Sequence, residues 1–307
     1  MIVPLNTIVC ADSLVYLRSL PDAVAHCIVT SVPYFHLRDY GVDGQIGLET
    51  TPDAYIAALV DVFRAARRVL RTDGTLWINV GDTYANDTKW GGASGAKNKR
   101  TGAPSGMGPR HRVRTGLPPK SMMMIPHRLA LALQADGWIV RSEIVWHKAT
   151  PMPEGVKDRP SRAHEFIFLL SQSPRYYYNI DAIREPIAPA TIARYRHMSD
   201  QDASTSATEK GKNKTDVWFV PASPYKEAHF ATFPPKLIEP CILAGCPEHC
   251  CSACGAPYRP IVTTRHIPQP DVSAKRNAYR GKVAQGKFAG TPRLYICLLY
   301  TSPSPRD

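Results

Sequence analysis

The chain has 307 residues, with 38 Lys and Arg against 26 Asp and Glu and a formal net charge of +12. Hydrophobic residues at 44% and charged residues at 21% describe a folded chain with a buried core and exclude a disordered one. No apolar run approaches the roughly 18 residues of a membrane span, and no basic segment leads into an apolar one at the N-terminus, so a membrane protein is excluded and a cytoplasmic location is expected.

In chain order, Thr7-Ile8-Val9-Cys10 reads as a short strand that turns at Ala11-Asp12-Ser13 into a helix with Leu14, Leu17 and Leu20 at helical spacing. Ala25 to Thr30 is a continuous apolar run, the mark of a strand buried on both faces of a parallel sheet. It ends at Ser31-Val32-Pro33-Tyr34. Residues 53–71 predict an amphipathic helix, with Tyr55, Leu59, Val62, Phe63, Ala66 and Leu70 inward and Arg64, Arg67, Arg68 and Arg71 in water, closed by Asp73-Gly74. Thr75 to Val80 is the next buried strand. A glycine-rich insert follows at 86–120, with seven glycines and eight Lys or Arg against one acid, a composition that cannot bury a core. Then come a helix at 122–136, strands at 138–146 and 165–171, a polar stretch at 187–216, the core-like Trp218-Phe219-Val220 and a helix at 234–244. Strands alternating with helices predict an α/β fold with a mostly parallel sheet.

Eight cysteines in a chain of this length do not make a disulfide framework. Cys10, Cys27 and Cys241 lie in apolar runs and read as small buried hydrophobes. Cys246, Cys250, Cys251 and Cys254 cluster, which points to metal in a reducing compartment.

In an open α/β sheet the ligand site lies beyond the carboxyl ends of the strands, where Asp12 and Ser31-Val32-Pro33-Tyr34 stand. Alone, the tetrapeptide is a proline-containing turn. With its neighbours it becomes specific: Ala11-Asp12-Ser13-Leu14, Ile28-Val29-Thr30-Ser31-Val32-Pro33-Tyr34-Phe35, Leu76-Trp77-Ile78-Asn79-Val80-Gly81-Asp82, Val145-Trp146-His147-Lys148, Arg162 with His164-Glu165-Phe166-Ile167-Phe168, and His229-Phe230-Ala231-Thr232-Phe233-Pro234. These ordered blocks resemble the amino-methylating DNA methyltransferases, whose catalytic motif is Ser-Pro-Pro-Tyr or Asp-Pro-Pro-Tyr, and they span most of residues 7–247. The resemblance implies a Rossmann-like sheet in permuted order, with the catalytic motif first, S-adenosyl-L-methionine as cofactor and double-stranded DNA as substrate. It leaves room for a partner restriction endonuclease.

The residue types suit that chemistry. An exocyclic amine is a poor nucleophile because its lone pair is delocalised into the ring. By resemblance, the Ser31 hydroxyl and the Val32 carbonyl accept its two N–H groups and aim the lone pair at the methyl group. Tyr34 stacks on the extruded base, helping to offset an unstacking cost of a few kcal/mol; Phe35 and His36 help line the pocket. No cysteine nucleophile is needed, which separates the chain from carbon-5 methylation. Val32 stands where proline is usual. The carbonyl survives the change and the φ restraint does not, while Pro33 still confines Val32 to extended backbone. Ser31 at the first position points by resemblance to N4 of cytosine. N6 of adenine stays the alternative, as does a DNA-binding fragment with impaired catalysis.

The resemblance assigns Asp12 to the adenosine half of the cofactor and Phe230, Thr232 and Phe233 to its methionine side. Read from the residues alone, Asp12 and Thr232 are helix caps and the two phenylalanines are core. The glycine-rich cofactor loop expected after residues 240–247 is replaced by Cys-Pro-Glu-His-Cys-Cys-Ser-Ala-Cys-Gly at 246–255. Cys251 and Cys254 form half of a zinc-ribbon knuckle whose second half does not follow, so zinc is expected in a longer protein. The residues from Cys297 onward resemble translated adapter, and a chain truncated there is expected to bind cofactor poorly. Lys97, Lys99, Arg100, Arg110, Arg112 and Arg114 in the insert are candidates to neutralise DNA phosphates. The expected division is 1–85 and 121–180 as core, 86–120 as basic insert, 181–225 as target-recognition region, 226–247 as cofactor-site segment and helix, 248–296 as the half-ribbon insert and 297–307 as a non-native tail.

Overall fold

The computed structural model describes residues 6–37, 43–85, 115–151, 153–192, 211–222, 233–251, 254–266 and 293–301. The chain forms two compact units, Met1–Cys246 and Pro247–Asp307. The first carries α1 (Ser13–Ser19), β1 (Ala25–Ser31), α2 (Pro52–Val69), β2 (Leu70–Val80), α3 (Ile125–Ala135), β3 (Ile139–His147), β4 (His164–Ser171), β5 (Val217–Phe219) and α4 (Pro235–Gly245). The second carries β6 (Arg259–His266) and β7 (Arg293–Thr301), paired antiparallel. Cys297 to Thr301, expected as a tail, supply the second half of β7.

The five strands of the first unit lie in the order β1-β2-β4-β3-β5. β1 with β2 and β3 with β5 are parallel, whereas β4 is antiparallel to both its neighbours. Four strands therefore share one direction, as expected, but the single reversed strand sits between β2 and β3 and makes half of the pairings antiparallel. This reversal brings the amino end of β4 beside the carboxyl ends of the other four.

Burial on both sheet faces explains the unbroken apolar runs of β2 and β4. Successive side chains alternate faces: Leu76, Ile78 and Val80 with Phe168 and Leu170 join the cluster beneath α2 and α3. Trp77 with Ile167 and Leu169 joins Trp146, Trp218, Leu237 and Cys241 in the cluster that includes α4. Helix α2 is amphipathic as read, with Tyr55, Leu59, Phe63 and Ala66 buried. Arg68 departs from the wet role expected of it. Its guanidinium donates to Leu17 O at 2.7 Å and Leu20 O at 2.8 Å, and pairs with Asp22, so it satisfies the last carbonyls of α1.

Several expectations fail for identifiable reasons. Residues 7–10 form no strand, and Ile8 is 98% exposed; among the described residues no sheet edge pairs with this segment, and apolarity without a partner does not make a strand. Cys10 is accordingly exposed. β1 is half-buried along its whole length rather than buried, because it stands at the sheet edge with β2 as its neighbour. Asp73-Gly74 does not end a helix. The chain passes from α2 directly into β2, and the pair falls where the register shifts from Ala25↔Leu70 to Cys27↔Thr75. A Cβ on Gly74 would lie 2.8 Å from His26 O, so only glycine fits the shift.

Candidate functional site

The parallel pairing of β1 with β2 sets Ser31 opposite Asn79, and the antiparallel pairing of β2 with β4 sets Asn79 opposite Ile167, next to Glu165 and Phe166. Lys148 follows directly on β3. Four polar side chains from four strand ends thus meet at one edge of the sheet. Ser31 Oγ lies 3.3 Å from Asn79 Oδ1. Asn79 Nδ2 donates to Phe166 O at 3.1 Å and to Glu165 Oε2 at 3.4 Å. Tyr34 Oη donates to Glu165 Oε2 at 2.5 Å, and Lys148 Nζ pairs with Glu165 Oε1. Burial first, and then the Glu165 charge, push the Tyr34 phenol well above the ordinary tyrosine range.

The segment after β1 is clamped from several sides. Val32 N donates to Asn79 O at 3.3 Å, continuing the ladder, and the Val32 side chain is buried in the apolar core. Pro33 O accepts from the buried Tyr55 hydroxyl of α2 at 2.6 Å. His36 sits at φ 49°, held by its N–H on Gly47 O at 2.7 Å and by its ring on Glu49 O at 2.6 Å. Tyr34 and Phe35 therefore present fixed rings, and both line a cavity of about 400 Å³ with Lys148, Arg162, Glu165 and Gly81. That is the volume of a small-ligand site. His36, expected in the lining, faces the 47–49 turn instead.

Arg162, Glu154 and Asp82 also line the cavity, backed by Arg159 and the Tyr84 ring. Arg159 lies 4.0 Å and Arg162 5.7 Å from the Tyr84 ring centre, and Arg162 Nη1 donates to Asp82 O. Glu154 accepts from Arg159 at 2.6 Å and from the Arg162 N–H at 3.3 Å. Burial opposes ionisation of Glu154, but these contacts outweigh it and hold the carboxyl below its usual range. Asp82 serves structure: Oδ1 accepts from Thr83 N at 2.8 Å and from Ile125 N at 3.0 Å, tying the end of β2 to the start of α3. A groove of about 630 Å³ between α2 and α3 is larger, but its acids Asp53 and Asp136 already pair with Arg128 and Arg64.

Ser31, Val32, Pro33 and Tyr34 are thus brought to one strand-end site. The four residues expected to hold cofactor are not gathered among the described residues. Asp12 is exposed and its Oδ1 caps α1 by accepting from Val15 N at 2.8 Å; Phe233 packs half-buried against the α4-side cluster; Phe230 and Thr232 lie outside the described residues. So do Lys97, Lys99, Arg100, Arg110, Arg112 and Arg114. Cys251 and Cys254 flank a turn closed by Gly255 N on Cys251 O at 2.8 Å, and among the described residues no group of three His, Cys, Asp or Glu is placed to hold a metal. Sequence reasoning assigned no role to Asn79, Lys148 or Glu165, although each is a polar residue at the end of an apolar strand run, which is the signal that marks them.

A sheet whose strand ends converge on a buried polar cluster and an adjoining cavity defines an open-sheet α/β enzyme. No helix among the described residues is long and apolar enough to cross a membrane. Residues 25–249 match the model of the N6/N4 methyltransferases described as DNA methylase. The type II methyltransferase M.Cfr9I of Citrobacter freundii is 46% identical over 233 residues, covering 76% of this chain and 70% of the relative. M.XycI of Xanthomonas campestris pv. cyanopsidis is 44% identical over 239 residues, covering 78% and 72%. The solved PvuII DNA methyltransferase (cytosine-N4-specific) is similar at a TM-score of 0.49 and 16% identity, over 76% of this chain and 68% of that one. The chain belongs to the N6/N4 family of S-adenosyl-L-methionine-dependent DNA methyltransferases.

Proposed function

We propose that this protein methylates the exocyclic N4 amine of cytosine in duplex DNA. The observation that carries the reading is the Ser31 hydroxyl at the tip of β1, hydrogen-bonded at 3.3 Å to Asn79 and leading into Tyr34, whose ring lines the cavity. When bound, S-adenosyl-L-methionine supplies an electrophilic methyl group. The protein's own part is to shape the nucleophile. Ser31 Oγ and Val32 O accept the two amine hydrogens, which favours a tetrahedral nitrogen and aims its lone pair. The nitrogen gains a methyl group and releases one proton. The Tyr34 ring stacks on the flipped cytosine, its phenol anchored on Glu165 so that the ring pays little rotational entropy when the base arrives.

In this reading Asp12, Phe230, Thr232 and Phe233 contact the cofactor, and the basic insert carrying Lys97, Lys99, Arg100, Arg110, Arg112 and Arg114 meets the phosphates. The enzyme works in the cytoplasm beside a restriction endonuclease of the same specificity. The test is to incubate the protein with duplex DNA and labelled S-adenosyl-L-methionine, digest to nucleosides and separate them by mass. N4-methylcytosine is expected from the native chain and far less, though still measurable, from Ser31→Ala. N6-methyladenine alone would move the assignment to adenine.

A further inference from the structure

Resting on that reading, we infer that Glu165 is a positioning residue: through Asn79 and Tyr34 it fixes the direction of the Ser31 hydroxyl, so that Ser31 meets the target amine as an acceptor. The argument follows the protons. The Asn79 side chain faces a carbonyl, Phe166 O at 3.1 Å, and the Glu165 carboxylate at 3.4 Å. Neither has a proton to give, so the amide turns its NH2 toward β4 and its Oδ1 toward Ser31. Tyr34 has one phenolic proton, and the 2.5 Å contact with Glu165 Oε2 takes it. Tyr34 Oη also lies 3.5 Å from Asn79 Oδ1, but with its proton on Glu165 it has none left to compete with Ser31 for that amide oxygen.

The inward partner of Ser31, Asn79 Oδ1, is therefore an acceptor that is free to take its proton. The single hydroxyl proton goes to that oxygen, and the lone pairs face outward. The opposite polarity would be inhibitory: a hydroxyl aimed at N4 would hydrogen-bond the lone pair that has to attack the methyl group. Lys148 pins the second carboxylate oxygen of Glu165, and with side chains 26% and 13% exposed the pair is largely shielded from competing water. Glu165 touches neither substrate atom in this scheme; it acts by leaving Asn79 and Tyr34 only one way to face.

Two readouts test this on the whole chain. With 15N-asparagine labelling, the Asn79 side-chain NH2 signals, identified by their loss in Asn79→Ser, are expected to exchange with solvent at least ~10-fold more slowly than those of exposed asparagines, and to lose that protection in Glu165→Gln. In steady-state methylation, Glu165→Gln is expected to lower kcat on the order of 10²-fold with KM for DNA and cofactor little changed. Adding Glu165→Gln to Ser31→Ala is expected to cost nothing further. Unprotected Asn79 amide protons, or losses that simply multiply, would overturn the inference. A native chain that methylates no DNA would instead overturn the proposed function, and the amide exchange would still decide the role of Glu165.

Discussion

Tyr34 and Gly81 are in direct contact across the site: a Cβ on Gly81 would lie 2.6 Å from Tyr34 Cε2 and 3.1 Å from Cζ. The glycine at the end of β2 is what lets the ring stand in the cavity wall while its hydroxyl reaches Glu165. Gly81→Ala is therefore expected to push the ring off Glu165. Methylation should fall on the order of 10²-fold from misplacement alone, with ~1–3 kcal/mol of stability lost to overpacking. Methylation rates and denaturant melts on the same preparations check this. A melt that shifts while the rate holds would show that the position of the ring is not catalytically important.

Tyr55 acts on the same segment from the other side, through its 2.6 Å hydrogen bond to Pro33 O. Its side chain is fully buried, and burial, with the Glu49 charge second, raises its phenol pKa. Below the unfolded value near pH 10 both states hold the proton, and this contribution to stability is complete. As pH rises further the unfolded chain loses the proton while the folded one keeps it. Stability then falls by ~1.4 kcal/mol per pH unit for each such tyrosine until the folded pKa is passed. Tyr34, raised by burial and by Glu165, adds in the same direction. Tyr55→Phe is expected to cost ~1–3 kcal/mol at neutral pH by stranding the Pro33 carbonyl. It should also flatten the decline in urea-melt stability above about pH 10 by one tyrosine's share.

Elements whose side chains meet the core were legible in the sequence, because periodicity reports burial. The inward stripe of α2 and the apolar runs of β2 and β4 are the clear cases. What a segment pairs with is not written in its own residues. Thr7 to Cys10 has strand composition and no partner, and Ala25 to Thr30 has the composition of a central strand and stands at an edge. Of the site, Ser31 to Tyr34 could be read from a contiguous motif. Asn79, Lys148 and Glu165 are marked only as polar residues bounding strands, and their meeting is not marked, because only the reversal of β4 carries Glu165 to the ends of β1 and β2.

The contact between α4 and β1 gives a chemical handle on the fold. A Cβ on Gly245, the last residue of α4, would lie 2.8 Å from Cys27 Sγ, whose thiol donates to Cys241 O at 3.9 Å, and the next residue, Cys246, brings a second thiol whose ionisation is linked to that of Cys27. The Cys27 thiol lowers the Cys246 thiol to about 7 against the opposing effect of burial. The neighbouring Cys246 thiol, followed by burial, raises Cys27, and burial pushes Cys241 up to about 12. Cys246 is thus expected to alkylate with iodoacetamide ahead of Cys27 and Cys241, with a midpoint near neutral pH. In Cys27→Ala the midpoint should rise toward the ordinary thiol value of about 8.5. Peptide mass mapping over a pH series reads both.

Asp12 has two assignable roles that one pair of substitutions separates. Its Oδ1 caps α1 on Val15 N at 2.8 Å, and a carboxylate at this position is proposed to hold the adenosine half of the cofactor. Asparagine caps a helix as well as aspartate does, whereas alanine does not. Asp12→Asn should therefore leave thermal stability essentially unchanged, and Asp12→Ala should cost ~1 kcal/mol. A carboxylate accepting hydrogen bonds from cofactor hydroxyls contributes ~1.5–3 kcal/mol, so both variants should weaken S-adenosyl-L-methionine binding by roughly 10- to 100-fold in calorimetric titration. Native affinity in Asp12→Asn would leave Asp12 as a helix cap and nothing more.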